Sequence, residues 1–425
     1  MARGGLSGSG VAVAGDESGR CPAVVPASAT GRAVTMANEI GMVVAGGALT
    51  RFGRRKDGSS FRDWARQAFA AALRDAGLQR RDIDALIVAS ESDFLTLQLN
   101  PASLLADELG LFGIRVMRAE GGGASGQVAV QAGAALVSSG QARRVAVLGL
   151  EPAAAHLSGA DVAALYSLSF DAWTDGMTGI DSTSIYAMSA LAFMRRTDAT
   201  VSDFARVAVR NRQNARHNPN AHLPLDITPE DVAASTMIAA PYRRLDCSPL
   251  SDGAACVILS QPGNLPGTGK GRARLVGMGS ANDRVRLAER ADPGTFAAKR
   301  LAAQQAYSHA GITPAQIGLA EVYDSYSGAQ LQALEALGLA DDVVAAERRG
   351  VFDATGTVPT NLSGGLLGQG APVGATGVAQ IVSCAHQLEG RYAGLGPRIT
   401  PRFALADTHG GIATLCAVTI LGGVE

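Results

Sequence analysis

An α/β fold built from two copies of one half is predicted by three features of the sequence. Strands alternate with helices along most of the chain, which is the pattern of sheet-and-helix layers. A helix, an Ala-Gly stop, a turn, an isoleucine and a strand occur twice in the same order. QAFAAALRDAGLQRRDIDALIVASES begins at Gln67 and LAAQQAYSHAGITPAQIGLAEVYDSY begins at Leu301, so Ala76-Gly77 aligns with Ala310-Gly311, Ile83 with Ile317 and Val88 with Val322. Such self-similarity marks a duplication. Each copy then runs into a glycine-rich loop opening a helix of small residues: Ala124, Gly126, Ala129 and Gly133 in one, Ala375, Gly377 and Ala379 in the other. Small residues permit close backbone approach, which places these two helices between two sheets.

The elements follow in order. The first strand is expected at 40–47, and the helix FRDWARQAFAAALRDAG ends on Gly77 as a left-handed stop. A strand at 80–90, the loop-opened helix at 119–140 and a strand at 143–151 complete the first copy. Residues 152–240 are less regular and read as helices and loops inserted over the sheet face, where a lid would lie. Phe170, Trp173 and Met177 give that region an apolar character suited to a bulky substrate. The second copy ends in a strand at 413–423. The expected organisation is a loose tail at 1–35, with Met36 as the functional start, a first half at 36–265 that includes the insertion, and a second half at 271–425.

Composition narrows the function. Hydrophobic residues make up 47% and charged residues 18%, enough for a large core, and the net charge is −1. The 52 glycines exceed the usual share of roughly 7% and fit many tight strand–helix turns. Nucleic acid is excluded as a partner because no basic stripe exists; the cluster RFGRRKDG at 51–58 reads as a solvated loop within reach of a nucleotide-like phosphate. No apolar run attains the length of about 18 residues that spans a membrane. The five cysteines (Cys21, Cys247, Cys256, Cys384, Cys416) are scattered, with no C-x-x-C. Neither a disulfide framework nor a metal site is indicated, and a cytoplasmic setting fits.

Four stretches carry a family resemblance: VRNRQNARHNPNAH (209–222), RRLDCSPLSDGAACVIL (243–259), LAEVYDSYSGAQLQALEALGL (319–339) and SGGLLGQGAPVGATGVAQIV (363–382). Together they resemble the thiolase superfamily, nearest its sterol-carrier-protein-type, or lipid-transfer, branch, over about residues 38–424. The resemblance implies the thiolase fold, with two duplicated halves in a five-layer αβαβα core. It also implies a coenzyme A thioester as substrate with no permanently bound cofactor. A homodimer is implied too, as is a separate partner protein carrying an OB-fold and a zinc ribbon.

The reactive positions of that family are altered. The cysteine at the start of the first buried helix, activated there by the helix N-terminus, falls on Gly123. The histidine of its V-H-D stretch becomes Tyr323, that of its G-H-P stretch becomes Ala371, and a late cysteine falls at about Thr408. Cysteine-dependent acyl transfer is thereby disfavoured. Relatives without the cysteine and with tyrosine in this Y-D context cleave steroid side chains as retro-aldolases. Tyr323 is accordingly the expected proton-transfer residue, with its pKa lowered by donors or helix termini, and Asp324 orients the site or caps a helix. His409 and Ser125 are the remaining candidate catalytic groups, each weighed against loop packing and N-capping. Backbone N–H groups at Gly123, Ser363, Gly364, Gly365 and Gly410 are expected to bind the thioester oxygen, since an oxyanion site needs no particular side chain.

The lysines Lys56, Lys270 and Lys299 sit in polar, surface-like contexts, which speaks against a Schiff base, and the scattered histidines speak against metal-assisted cleavage. Arg210 and Arg212 read as solvated helix-face residues or as partners of a coenzyme A phosphate. His217 and His222 belong to a polar loop. The four cysteines beyond the tail read as buried and inert. Two further readings stand beside aldol chemistry: a non-catalytic subunit of a complex, and an acyltransferase using Ser125 or His409.

Overall fold

The computed structural model describes residues 41–155, 157–266 and 271–424. The tail at 1–35, Cys21, Met36 and Lys270 lie outside them. Its strands are β1 (Met42–Leu49), β2 (Ala85–Ala89), β3 (Arg115–Ala119), β4 (Arg144–Pro152), the hairpin β5 (Met237–Ala239) and β6 (Tyr242–Arg243), β7 (Asp252–Ser260), β8 (Ala273–Asn282), β9 (Ile317–Glu321), β10 (Phe403–Gly410) and β11 (Leu415–Gly423).

Nine of them form one mixed sheet, in the order β3-β2-β4-β7-β1-β8-β11-β10-β9. The duplication is visible in that order. Outward from β1 run β7, β4 and β2, and outward from β8 run β11, β10 and β9. The parallel pairing of β2 with β4 is matched by that of β9 with β10. Where the first half adds β3 beyond β2, the second has only a single parallel bridge, Ala320 to Thr360. A three-residue antiparallel ladder, Met42–Val44 against Ala273–Leu275, joins the halves.

Helices cover and separate the half-sheets. The helix Phe61–Ala76 starts with a reciprocal Ser60/Asp63 capping box and buries Phe61, Trp64, Ala65, Ala68, Phe69, Ala72 and Leu73. That spacing is one face of a 3.6-residue helix, and it packs on β1 and β7. Its copy, Ala297–Ala310, packs on β8 and β11. Both end on a left-handed glycine: Gly77 at φ 65°, ψ 28° and Gly311 at φ 65°, ψ 31°. The expected strand at 80–90 is shortened at its start because the Asp82 carboxylate accepts the Gln79 N–H at 2.7 Å, closing a 3₁₀ turn ahead of β2.

Between the half-sheets lie the helices Ser125–Ser138 and Val373–Leu388, and the second is buried over nearly its whole length. They meet at glycines: a Cβ on Gly126 would stand 2.8 Å from Gly377 Cα, and one on Gly377 would stand 2.6 Å from Gln127 N. Helix, half-sheet, paired central helices, half-sheet and helix give the five layers. Residues 152–240 form the helices Gly159–Tyr166, Ser182–Arg196, Val201–Ala215 and Pro229–Ala234 with the β5–β6 hairpin. No helix among the described residues is long and apolar enough to cross a membrane.

Candidate active site

The C-terminal ends of β2, β3, β4, β9 and β10 open toward the inserted region, and there a cavity of about 170 Å³ is enclosed. Strand ends of this kind present side chains to a crevice not filled by the sheet. Glu91 follows β2, Gly123 precedes the first central helix, Tyr323, Ser325 and Tyr326 follow β9, and His409 lies near the end of β10. Ala371 and Val373 open the second central helix. Tyr166, Phe170, Ile185 and Tyr186 come from the insertion. Four of the seven tyrosines of the chain line this one cavity.

Gly123 and Tyr323 are fitted to each other. A Cβ on residue 123 would run into the Tyr323 hydroxyl, would stand 2.8 Å from Tyr323 Cζ, and would also collide with the His409 carbonyl oxygen. The phenol therefore fills the space that a side chain at the start of this helix would need. Burial, followed by the nearby Tyr186 and Glu91, raises the Tyr323 pKa well above its ordinary value. This corrects the expectation of a lowered pKa: desolvation dominates, and the charges acting on the phenol are negative. Tyr323 thus keeps its hydroxyl proton. Leu366 and Ala371 pack against it, so the wall where the family resemblance places a histidine is apolar.

His409 is wired from behind. Lys299 Nζ lies 3.0 Å from His409 Nδ1 and is ion-paired with Asp407, whose other oxygen accepts the Tyr323 N–H at 3.0 Å. An ammonium can only donate, so Nδ1 accepts and the ring proton is assigned to Nε2. From there it faces the Tyr186 hydroxyl at 2.8 Å, which in turn donates to the Gly411 carbonyl at 2.6 Å. Burial first, then the Lys299 and Arg290 charges, depress the His409 pKa well below 6.5. His409 is a neutral donor that orients Tyr186, not an acid–base group at neutral pH. Lys299 is itself fully buried, which overturns its surface-like reading. In AAKRLAAQQ the neighbouring Arg300 is exposed and Lys299 points inward.

Other expected groups are engaged elsewhere. Ser125 Oγ accepts the Gly121 N–H at 3.0 Å and donates to the Gly122 carbonyl at 2.7 Å, so its hydroxyl is held within the turn. Asp324 accepts N–H groups of Leu366 at 2.6 Å and Leu367 at 3.2 Å, and the Asn211 amide at 2.6 Å. It caps the short helix Gly365–Gly368 and does not face the cavity, and burial pushes its pKa up to about 7. The N–H groups of Ser363, Gly364 and Gly365 are taken by Glu321 Oε1, the Asn361 carbonyl and Ser363 Oγ. They are not thioester donors; the loop instead fixes the ends of β9 and the second central helix. Gly410 packs against Gly121 and Gly122 beside the cavity, and Thr408 is buried outside its lining.

Arg210 and Arg212 are buried and do not face solvent. Arg210 pairs with Glu347 at 2.6 Å and Arg212 donates to the Leu245 carbonyl at 2.7 Å, since the helix Val201–Ala215 is covered on that face. His222 Nδ1 lies 2.8 Å from Ser251 Oγ, which also accepts the Ala371 N–H at 3.0 Å. The solvated reading of 51–58 holds for all but Phe52, which is buried, and the partly covered Gly53 and Arg55. Of the lid residues, Phe170 lines the cavity, whereas Trp173 and Met177 are exposed. Cys256, Cys384 and Cys416 are buried, with thiols pushed up by desolvation.

Sequence reasoning missed Glu91, Tyr166, Tyr186 and Tyr326. For Glu91 a signal existed: it lies two residues past the end of a parallel strand that ends at the site.

Fold and site together define a protein of thiolase architecture with a glycine, Gly123, ahead of the first central helix and the Tyr323 phenol packed against it. The thiolase N-terminal domain matches residues 42–262 and the thiolase C-terminal domain-like family matches residues 279–423. The chain belongs to the thiolase superfamily, in its sterol-carrier-protein-like branch. An acetyl-CoA acetyltransferase of Methanothermobacter thermautotrophicus is 35% identical over 384 residues, covering 89% of this chain and 98% of that protein. A steroid side-chain-cleaving aldolase of Thermomonospora curvata is 30% identical over 363 residues, covering 80% and 88%. A solved structure described as an Ltp2-ChsH2(DUF35) aldolase superposes with a TM-score of 0.75 at 27% identity, covering 90% of this chain and 97% of that one.

Proposed function

We propose that this protein is a carbon–carbon lyase that makes or cleaves a β-hydroxyacyl thioester of coenzyme A by aldol chemistry, without an acyl-enzyme. One observation carries the reading: the Tyr323 hydroxyl occupies the place of a side chain at residue 123. A retro-aldol step needs no nucleophile. It needs a donor for the oxygen that gains charge as the thioester becomes an enolate, and a neutral phenol at the mouth of a helix N-terminus is such a donor. The buried, hydrogen-bonded Ser125 hydroxyl offers no alternative acyl acceptor, and the relative named as an aldolase lends further support.

In this reading the chain works in the cytoplasm as a homodimer. It binds no permanent cofactor and pairs with a separate OB-fold and zinc-ribbon protein; that a structural relative, the Ltp2-ChsH2(DUF35) aldolase, is solved as a two-component assembly supports a partner. The test is intact-protein mass after incubation with a panel of acyl-CoA and β-hydroxyacyl-CoA thioesters, with products followed in parallel. Cleavage to a carbonyl compound and a shortened thioester with no adduct is expected. A stable acyl adduct would revert the reading to acyl transfer. Neither adduct nor product, with the partner present, would favour a non-catalytic subunit.

A further inference from the structure

The apolar wall at Ala371 leaves the lyase reading without a base, and the structure holds a group that the sequence reading never considered. Glu91 leaves the end of β2 and lines the same cavity as Tyr323 and Tyr166. Its Oε1 lies 3.8 Å from where a Cβ on Gly122 would stand, while the Tyr323 hydroxyl overlaps the corresponding point on Gly123. Carboxyl and phenol thus flank consecutive residues of one turn. Glu91 is partly covered, and its carboxyl lies within hydrogen-bonding reach of the Tyr166 hydroxyl.

We propose that Glu91 is the general acid–base residue of this site, moving the proton between the β-hydroxyl and the α-carbon of a bound thioester. The proposal rests on the lyase reading. In cleavage, ionised Glu91 takes the hydroxyl proton as the α–β carbon bond breaks. The electron pair passes to the thioester as an enolate whose oxygen accepts a hydrogen bond from Tyr323. Protonated Glu91 then returns the same proton to the α-carbon, so no co-reactant is consumed.

The surroundings suit the task. Glu151, at the end of β4, is held rigidly: it accepts the Glu91 N–H at 2.7 Å, the Gly374 N–H at 3.1 Å and the Ser90 hydroxyl at 3.2 Å. The groups facing Glu91 are Glu151, Glu120 and Tyr166, with Tyr323 across the cavity. Arg118, whose charge acts on Glu151, is engaged with Asp93 and the Ser90 carbonyl. Burial, then the two neighbouring carboxylates, raise the Glu91 pKa well above 4.5. A carboxylate of raised pKa is a stronger base, and the ideal catalytic value lies near the working pH.

The test uses the full chain with its partner and the isosteric Glu91→Gln variant, in two assays. One is cleavage of β-hydroxyacyl-CoA thioesters. The other is deuterium uptake at the α-carbon of a saturated acyl-CoA in heavy water, which needs the base and the enolate site but no cleavable bond. Glu91→Gln is expected to lower both by at least about 100-fold, the usual contribution of a positioned acid or base, with KM little changed. Activity of Glu91→Gln within about threefold of wild type overturns the Glu91 assignment and leaves the lyase reading intact. Uptake without cleavage, abolished in Glu91→Gln, keeps Glu91 and overturns the lyase reading. Absence of both in wild type overturns both.

Discussion

The Tyr323 hydroxyl and a side chain at residue 123 exclude one another: a Cβ there would overlap the phenol oxygen and stand 2.8 Å from Cζ. The glycine and the tyrosine are two halves of one substitution. A side chain there requires the phenol to swing aside and the His409 carbonyl to shift.

Restoring cysteine alone will not restore acyl transfer. Gly123→Cys, and even Gly123→Ala, must displace the phenol and crowd the His409 carbonyl. Overpacking of this kind costs about 1–3 kcal/mol. A lowered urea midpoint with no acyl adduct on residue 123 is expected; an acylated Gly123→Cys of wild-type stability would contradict the steric account.

Tyr323→Phe removes one donor and keeps the ring packing against Leu366 and Ala371. Loss of one oxyanion donor costs about 10²–10³ in kcat. That drop, with KM and melting temperature nearly unchanged, is expected from steady-state kinetics and thermal unfolding. Unaltered kcat would remove Tyr323 from the chemistry.

Lys299→Met strands the buried Asp407 carboxylate without its cation. Breaking a buried pair on one side costs about 3–5 kcal/mol, whereas replacing both partners is often neutral. Denaturant titrations should therefore find Lys299→Met strongly destabilised. The double variant Lys299→Met/Asp407→Asn should recover a large part, short of full recovery because Asp407 also accepts the Tyr323 N–H.

Glu151 gives a pH signature. Burial raises its pKa from 4.5 to about 7, so between those values the folded chain holds a proton that the unfolded chain has released. Stability from this group is complete below about pH 4.5 and is lost as pH rises toward about 7. Chemical denaturation across that range should yield a flatter slope for Glu151→Gln than for wild type. An identical slope would mean that Glu151 is ionised in the fold throughout.

Much of the fold was legible in the residues, because the duplicated Ala-Gly stops and small-residue helices are local signals. Gly77 and Gly311 adopt nearly the same left-handed angles, and Gly126 meets Gly377 as their size requires. The site was legible only where family positions pointed to it: Gly123, Tyr323, Ala371 and His409 do line one cavity. The roles of these groups were less visible. Burial sets the Tyr323 protonation state, and burial with Lys299 sets that of His409; Lys299 lies 110 positions from His409, and its local sequence gives no sign that it points inward. Tyr166 and Tyr186 arrive from an irregular insertion without periodicity to anchor them. The Ser363–Gly365 loop misled because its amides satisfy Glu321 and Asn361, which no local spacing reveals.

The short ladder between β1 and β8 has a consequence for how this chain can be divided. Each half ends its sheet on a strand whose outer edge is closed by the other, through Met42–Val44 and Ala273–Leu275. A half made by itself would present that edge raw, together with the buried face of its central helix, and exposed edges of this kind recruit other chains. The two copies therefore close each other's sheet edges, and cutting the chain between them opens both at once.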